Sequence, residues 1–301
     1  MPSERSALGQ SMAGLSWLMV EKWMMAGAGF FLGMAHYLSG VRGRGKAWII
    51  AALAGLGSLL LPCLVAAAEV SVDVGHGNFD SGAISARGRS EYDFNRTLAV
   101  PVERALRQRG LLVRRINEDG DTWLADRPEA ALGSDFFLSL HHDSVQPEEL
   151  ETWQVNGEEQ TYSDAHRGFS LFISRRNPDP ATSLRCASAI GAELLAAGFI
   201  KATHHTTTAA GTPRPWADEA NGVRYYDTLL VLGRTAMPAV LLEAGVIKHR
   251  QEELELADPA RQERMAAAVA AAVTACLRWA RISVPDPASA VPMPDELQRP
   301  R

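Results

Sequence analysis

The chain has 301 residues, 47% of them hydrophobic, and a formal charge of −5 at pH 7, enough length and apolar content for one large domain or two small ones. That balance carries no nucleic-acid footprint, so nucleic acid is excluded as an expected partner. The charge is uneven: of 30 basic and 35 acidic residues, only five and two fall in residues 1–68, which leaves the remainder strongly acidic, as suits the surface of a soluble exported domain.

Residues 1–41 form an N-terminal extension with an apolar stretch from Trp23 to Leu38. It reads either as a mis-assigned start, with Met34 the natural first residue, or as a membrane hairpin. Residues 42–68 read as a secretory signal: Arg42, Arg44 and Lys46 form the positive region, Ala47 to Val65 is apolar, and Ala66-Ala67-Ala68 supplies small residues for cleavage before Glu69. The alternative is an uncleaved anchor, since roughly 20 apolar residues would span a bilayer. The Ala triplet, with a strand beginning at once after it, favours cleavage. Cys63 stands behind a proline, a poor lipoprotein site. Cys186 and Cys276 could pair in an oxidising compartment. Both fall in predicted helices and nothing in the sequence brings them together, so they are read as two buried thiols.

Residues 69–282 alternate short apolar strands with amphipathic helices, which predicts a single α/β domain. Val70 to Val74 is the first strand and ends in Gly75-His76-Gly77. A Gly-rich loop leads to Ser90, whose spacing to Asp93 marks a helix start. The helix runs to about Arg109, with Pro101 predicting a kink and Gly110 the end. Leu111 to Ile116 is a strand, Leu124 to Leu132 a short helix, and Asp135 to Leu140 a strand buried on both faces that delivers His141, His142 and Asp143. Residues 145–167 are polar and acidic and read as an insertion over one face of the domain, placed to regulate access to the site. Gly168 to Ser174 is a strand, and Ser183 is expected to cap a helix ending at Gly198. Residues 201–224 read as loop, Thr228 to Leu232 and Ala239 to Leu242 as strands, and Asp258-Pro259 as the opening of a last helix through about Arg281. Residues 283–301 are rich in Pro and polar residues and read as a disordered tail.

Four residues stand out. His76, His141 and Glu243 each follow an apolar strand directly, and Glu91 opens a helix. In open α/β sheets, sites gather beyond the carboxyl ends of strands. Two imidazoles and a carboxylate can hold a zinc ion and leave one position open for water, and a further carboxylate can take a proton from that water. Singly, His76 is equally a turn residue and Glu91 a helix-start acid. His142 is the alternative to His141.

The segments VSVDVGHGNFDSGA, SEYDFN, DFFLSLHHDS and MPAVLLEAG resemble, in order, the motifs of the zinc-dependent N-acetylmuramoyl-L-alanine amidases of bacterial cell walls, the type 3 amidases. The resemblance spans about residues 70–275. It implies that His76, Glu91 and His141 hold one zinc ion per chain, that Glu243 is the catalytic glutamate, and that the fold is a mixed, mostly parallel twisted sheet flanked by helices. The implied activity is hydrolysis of the amide between N-acetylmuramic acid and L-alanine in peptidoglycan. The expected location is the periplasm, with secreted or membrane-anchored forms as alternatives, and membrane contact only through an uncleaved N-terminal segment. Val74 replaces a usual proline, Asn78 a frequent glycine and His142 a usual small residue. Asp93 and Asp143 are candidates to orient the ligands, and His204, His205 and Arg214 to line the substrate groove, Arg214 suiting the carboxylates of a stem peptide. Competing readings are a zinc peptidase of the stem and a non-catalytic peptidoglycan-binding module. No regulatory protein is identifiable.

Overall fold

Val70, Val72 and Val74 alternate with Ser71 and Asp73 along the first strand, and that period of two sends the valines to one face and the polar pair to the other. In the computed structural model, which describes residues 67–206 and 214–283, this strand is β1 (Glu69–Val74). It is followed by α1 (Glu91–Gln108), β2 (Leu112–Ile116), α2 (Arg127–Ala130), β3 (Phe136–Asp143), a hairpin of β4 (Glu151–Val155) and β5 (Glu158–Tyr162), β6 (Ser170–Ile173), α3 (Pro180–Ala196), β7 (Trp216–Asp218), β8 (Val223–Tyr225), α4 (Leu230–Arg234), β9 (Ala239–Val246), α5 (Arg250–Ala257) and α6 (Pro259–Ser283). The readings for residues 1–66, which include most of the leader, and for the tail beyond Ser283 fall outside the described residues. Among the described residues no helix is long and apolar enough to cross a membrane.

One seven-stranded sheet has the order β2-β1-β3-β9-β6-β8-β7. β2, β1, β3 and β9 run parallel, while β6 pairs antiparallel with β9. The two faces are covered unequally. The valines of β1, with Phe136, Leu138 and Leu140 of β3 and Val240 and Leu242 of β9, pack in the main core with α1, α3 and α6. The alternate residues Phe137, Phe172 and Leu241 pack in a much smaller cluster with Ala131, Val231, Leu232 and Met237. The thinly covered face leaves room for a cleft.

Several expectations give way here. Cys186 and Cys276 form a disulfide, with Cα atoms 5.4 Å apart. Its setting is the Ala-rich α6, whose buried Ala268 and Ala272 stand on the same side as Cys276 and let it lie close against α3. Helix α3 starts earlier than expected: Asp179 caps it by accepting from Thr182 N at 2.9 Å. Ser183 instead lies inside, donating to Asp179 O and accepting from Ala239 N. Leu230–Arg234 is helical where a strand was predicted, the usual ambiguity of a short apolar run. α1 continues through Pro101. Residues 145–167 do not roof the site: they hold the β4–β5 hairpin, turned by Asn156-Gly157 at positive φ. That hairpin is held by Trp153 Nε1 to Ala86 O and Lys248 Nζ to Thr161, and none of its residues lines the main cavity.

Candidate metal and catalytic site

His76 leaves β1 in a left-handed conformation, φ 63°, which is uncommon for a residue with a side chain and marks a held backbone. What holds it is its own carbonyl: Asn117 Nδ2 and Arg127 Nη2 both donate to it. Arg127 is itself buried against Asp73. Glu91 is the first residue of α1, just after its cap Ser90, whose hydroxyl accepts from Asp93 N. Its carboxylate reaches both imidazoles, Oε2 3.1 Å from His76 Nε2 and Oε1 2.9 Å from His141 Nδ1. Burial would push the Glu91 carboxyl up, but the hydrogen bonds from His141 and His76 outweigh it and hold it well below the usual range. Burial pulls His76 down, but the Glu91 hydrogen bond together with the Glu91 and Asp80 charges outweighs it, and the net shift is upward.

Two glycines make room. A Cβ on Gly75 would stand 2.3 Å from His141 Nε2, and one on Gly82, at φ +74°, would stand 2.6 Å from Glu91 Oε2. The Gly75-His76 step therefore serves the other histidine as much as His76 itself.

The choice between His141 and His142 follows from the pleat of β3. Successive side chains point to opposite faces. His141 faces the thin side with Glu91, and its Cα partner across the sheet is Glu243. His142 faces the helical layer, its Nδ1 2.7 Å from Asn95 Oδ1. The amide nitrogen of Asn95 donates to Gly75 O, so its oxygen accepts and His142 Nδ1 carries the proton. Complete burial pulls the His142 pKa down to about 3. His142 is a neutral core histidine that positions α1 against the first loop.

Glu243 lies on the same face as His141, with Oε2 buried and without a hydrogen-bond partner among the described residues. Burial, then the neighbouring Asp143 and Glu91 carboxylates, push its pKa well above the ordinary value, and Arg214 pulls it the other way. A buried carboxylate oxygen with no hydrogen-bond partner among the described residues is free to exchange a proton with a bound group.

Asp143 gathers a second group. Its Oδ2 is 2.6 Å from His205 Nε2 and 3.1 Å from His204 Nε2, so three potential ligands converge here as well. Arg214 decides against a metal on His205: its Nη1 lies 2.8 Å from His205 Nδ1. A guanidinium only donates, so Nδ1 accepts and Nε2 carries the proton given to Asp143. The lone pair that a metal needs at Nε2 is occupied. His204 and His205 are buried behind Asp143 and do not line the groove as expected, whereas Arg214 does. Asp93 serves only the helix cap with Ser90 and pairs outward with Arg96. It touches none of the four site residues.

His76, Glu91, His141 and Glu243 line one cavity of about 540 Å³, together with Arg214 and Trp123. The candidate ligand atoms of His76, Glu91 and His141 all lie within 4.8 Å of one another. Two neutral imidazole nitrogens and an anionic carboxylate oxygen suit zinc, and a cation there would satisfy the convergence of all three on one point.

A family model for N-acetylmuramoyl-L-alanine amidase matches residues 70–275. The chain is 26% identical over 228 residues to N-acetylmuramoyl-L-alanine amidase AmiA of Escherichia coli (strain K12), covering 70% of this chain and 76% of AmiA. Its fold is similar to the catalytic domain of the amidase CwlV from Bacillus (Paenibacillus) polymyxa var. colistinus, with a TM-score of 0.53 and 28% identity over 70% of this chain and 98% of that one. It is likewise similar in fold to Ami1 of Mycobacterium smegmatis, with a TM-score of 0.57 and 20% identity over 71% and 99% of the two chains.

Proposed function

From the premise that the chain belongs to the N-acetylmuramoyl-L-alanine amidase family, we propose that this peptidoglycan hydrolase works with one zinc ion held by His76, Glu91 and His141 and with Glu243 as its proton carrier. Zinc, when bound, supplies a water of lowered pKa and polarises the amide carbonyl between the lactyl group of N-acetylmuramic acid and L-alanine. The rest is the work of the chain. Glu91 holds the two imidazoles in register, and Arg127 and Asn117 hold the His76 carbonyl so that its ring stays over Glu91. Glu243 accepts a proton at Oε2 from the attacking water and delivers it to the nitrogen of the departing L-alanine. Arg214, backed by His205 and Asp143 and lying 4.0 Å over the Tyr226 ring, binds a carboxylate of the stem peptide.

The observation that carries the reading is the unpartnered buried Glu243 Oε2 beside the convergent His-Glu-His set. A peptidoglycan-binding module would have no use for it. The disulfide between α3 and α6 suits an oxidising compartment, which supports a working place outside the cytoplasm, and the periplasm is the location we propose. The test is Glu243→Gln, which keeps the size of the side chain. It should retain one zinc per chain and lose about 10²–10⁴-fold in kcat, read as stem peptides released from purified peptidoglycan. Release at the wild-type rate would remove Glu243 from the mechanism.

A further inference from the structure

Two aromatic side chains at the mouth of the cavity have no role in the fold. Phe79 and Trp123 are 63% and 60% exposed, yet their rings stack with centroids 4.4 Å apart and planes 9° from parallel. They come from different loops, Phe79 from the segment after β1 and Trp123 from the segment after β2, and both line the same cavity as His76. Neither belongs to a buried cluster of the core.

The loops that carry them are tied together. Asn78, next to Phe79, bridges the two loops: its side-chain amide donates to Asp119 O and Asp121 Oδ1, both at 2.8 Å, and its backbone N–H donates to Gly120 O. Asn117 receives Thr122 N at its side-chain oxygen. The rings are therefore held in place by polar contacts beneath them while their outer faces stay open. A pre-formed, exposed aromatic surface beside a site points to a ligand that covers it.

The cavity has two unlike walls. The β1 and β2 loops give an apolar wall, Phe79, Trp123 and Leu124, and the other wall, across β3 and β9 in the sheet order, carries the Arg214 guanidinium beside Tyr226. His76, Glu91, His141 and Glu243 lie in the same cavity. The substrate is equally two-sided: a sugar ring stands a few bonds from the scissile carbonyl on one side, and a peptide bearing carboxylates extends on the other. Charge assigns the peptide to Arg214. The remaining wall faces the sugar, whose axial C–H face suits the negative face of an aromatic ring.

We propose that Phe79 and Trp123 form a glycan subsite that binds the N-acetylated sugar strand of the substrate and so sets the direction in which it crosses the site. The assignment of that ligand rests on the amidase reading.

The zinc-loaded mature protein should bind chitotetraose, a β-1,4-linked tetramer of N-acetylglucosamine, in isothermal titration calorimetry. Trp123→Ala and Phe79→Ala should each weaken that binding at least tenfold, and Trp123→Phe should recover part of it. Far-UV circular dichroism and zinc content should match the wild type, since both side chains lie at the surface. On a muropeptide that carries its sugars, the loss should appear in KM. Absence of chitotetraose binding by the wild type, or equal binding by the wild type and both alanine variants, overturns the proposal. So does a result in which Trp123→Ala weakens only a sugar-free stem peptide, which would make the pair a peptide subsite. Sugar binding is read without turnover, so the amidase reading fails separately, on stem release by the wild type.

Discussion

One residue along β3 separates His141 from His142, and the two should respond differently to the same truncation. His141→Ala removes one of the proposed ligand atoms and should lower zinc affinity by more than about 100-fold, measured by metal content after dialysis. His142→Ala leaves the ligand set whole but strips Asn95 of its buried partner, so zinc stoichiometry should persist while stability falls by about 1–3 kcal/mol in urea unfolding. The pH dependence separates them further. His142 has a folded pKa near 3 against 6.5 unfolded, so its contribution to stability should be complete above pH 6.5 and be lost as the pH drops toward 3, because the unfolded chain takes up the proton first. His142→Ala should show a shallower slope across that window, and an unchanged slope would mean that its imidazole is not buried neutral. At this scale the candidate site was largely legible in the sequence, since His76, His141 and Glu243 each interrupt the end of an apolar run, where a polar side chain needs a reason. Arg127 and Asn117 were not, because what they bind is the carbonyl of a residue at positive φ, and no pattern of side-chain types announces a backbone angle. Arg214 was visible as a polar loop residue, but its bond to His205, which rules on the tautomer there, needed coordinates.

Helices and strands were legible where periodicity was long and strands deeply buried, as in β1, β3, β9, α1 and α6. They were missed where elements are short. β7 and β8 have three residues each and α4 five, too few to repeat a period of 2.0 or 3.6 twice over, and α5 is introduced by an unusual cap, His249 Nδ1 accepting from Gln251 N and Glu252 N. The Asn156-Gly157 hairpin turn was a readable signal hidden inside an acidic stretch. The disulfide is the main feature at this scale that sequence spacing concealed, since it depends on how closely α3 and α6 approach. It closes a loop with a sequence separation of 90, for which the chain-entropy account gives about 4–5 kcal/mol of stabilisation. The double variant Cys186→Ala, Cys276→Ala should lose stability of that order in chemical denaturation. At assay temperatures where it stays folded it should keep its zinc, because neither cysteine approaches the His76–Glu91–His141 set. A variant as stable as the wild type would show that close packing of the helices alone holds them.

For the whole molecule, the remaining question is where the working enzyme begins. The leader reading puts cleavage after Ala68, before Glu69, and the edge of the fold argues for the bond one residue earlier. Ala68 is buried in the main core, and its carbonyl accepts from Leu112 N at 2.8 Å, extending the β1–β2 ladder. The next residue, Glu69, gives its backbone N–H to Asp135 Oδ2 at 2.8 Å, at an exposed position. Cleavage after Ala68 would leave Leu112 N without that acceptor and remove the Ala68 methyl from the core, at about 1 kcal/mol for the hydrogen bond. The new α-ammonium beside Asp135 would return little at an exposed site. Cleavage after Ala67 keeps the ladder whole and still places small or β-branched residues, Val65 and Ala67, at the two positions a signal peptidase reads. We therefore expect N-terminal sequencing of the exported protein to begin Ala68-Glu69-Val70. Glu69 in first place would show that the peptidase, not the edge of the fold, selects the bond, and a mature start before residue 60 would sink the signal reading and leave the enzyme tethered by its N-terminal segment.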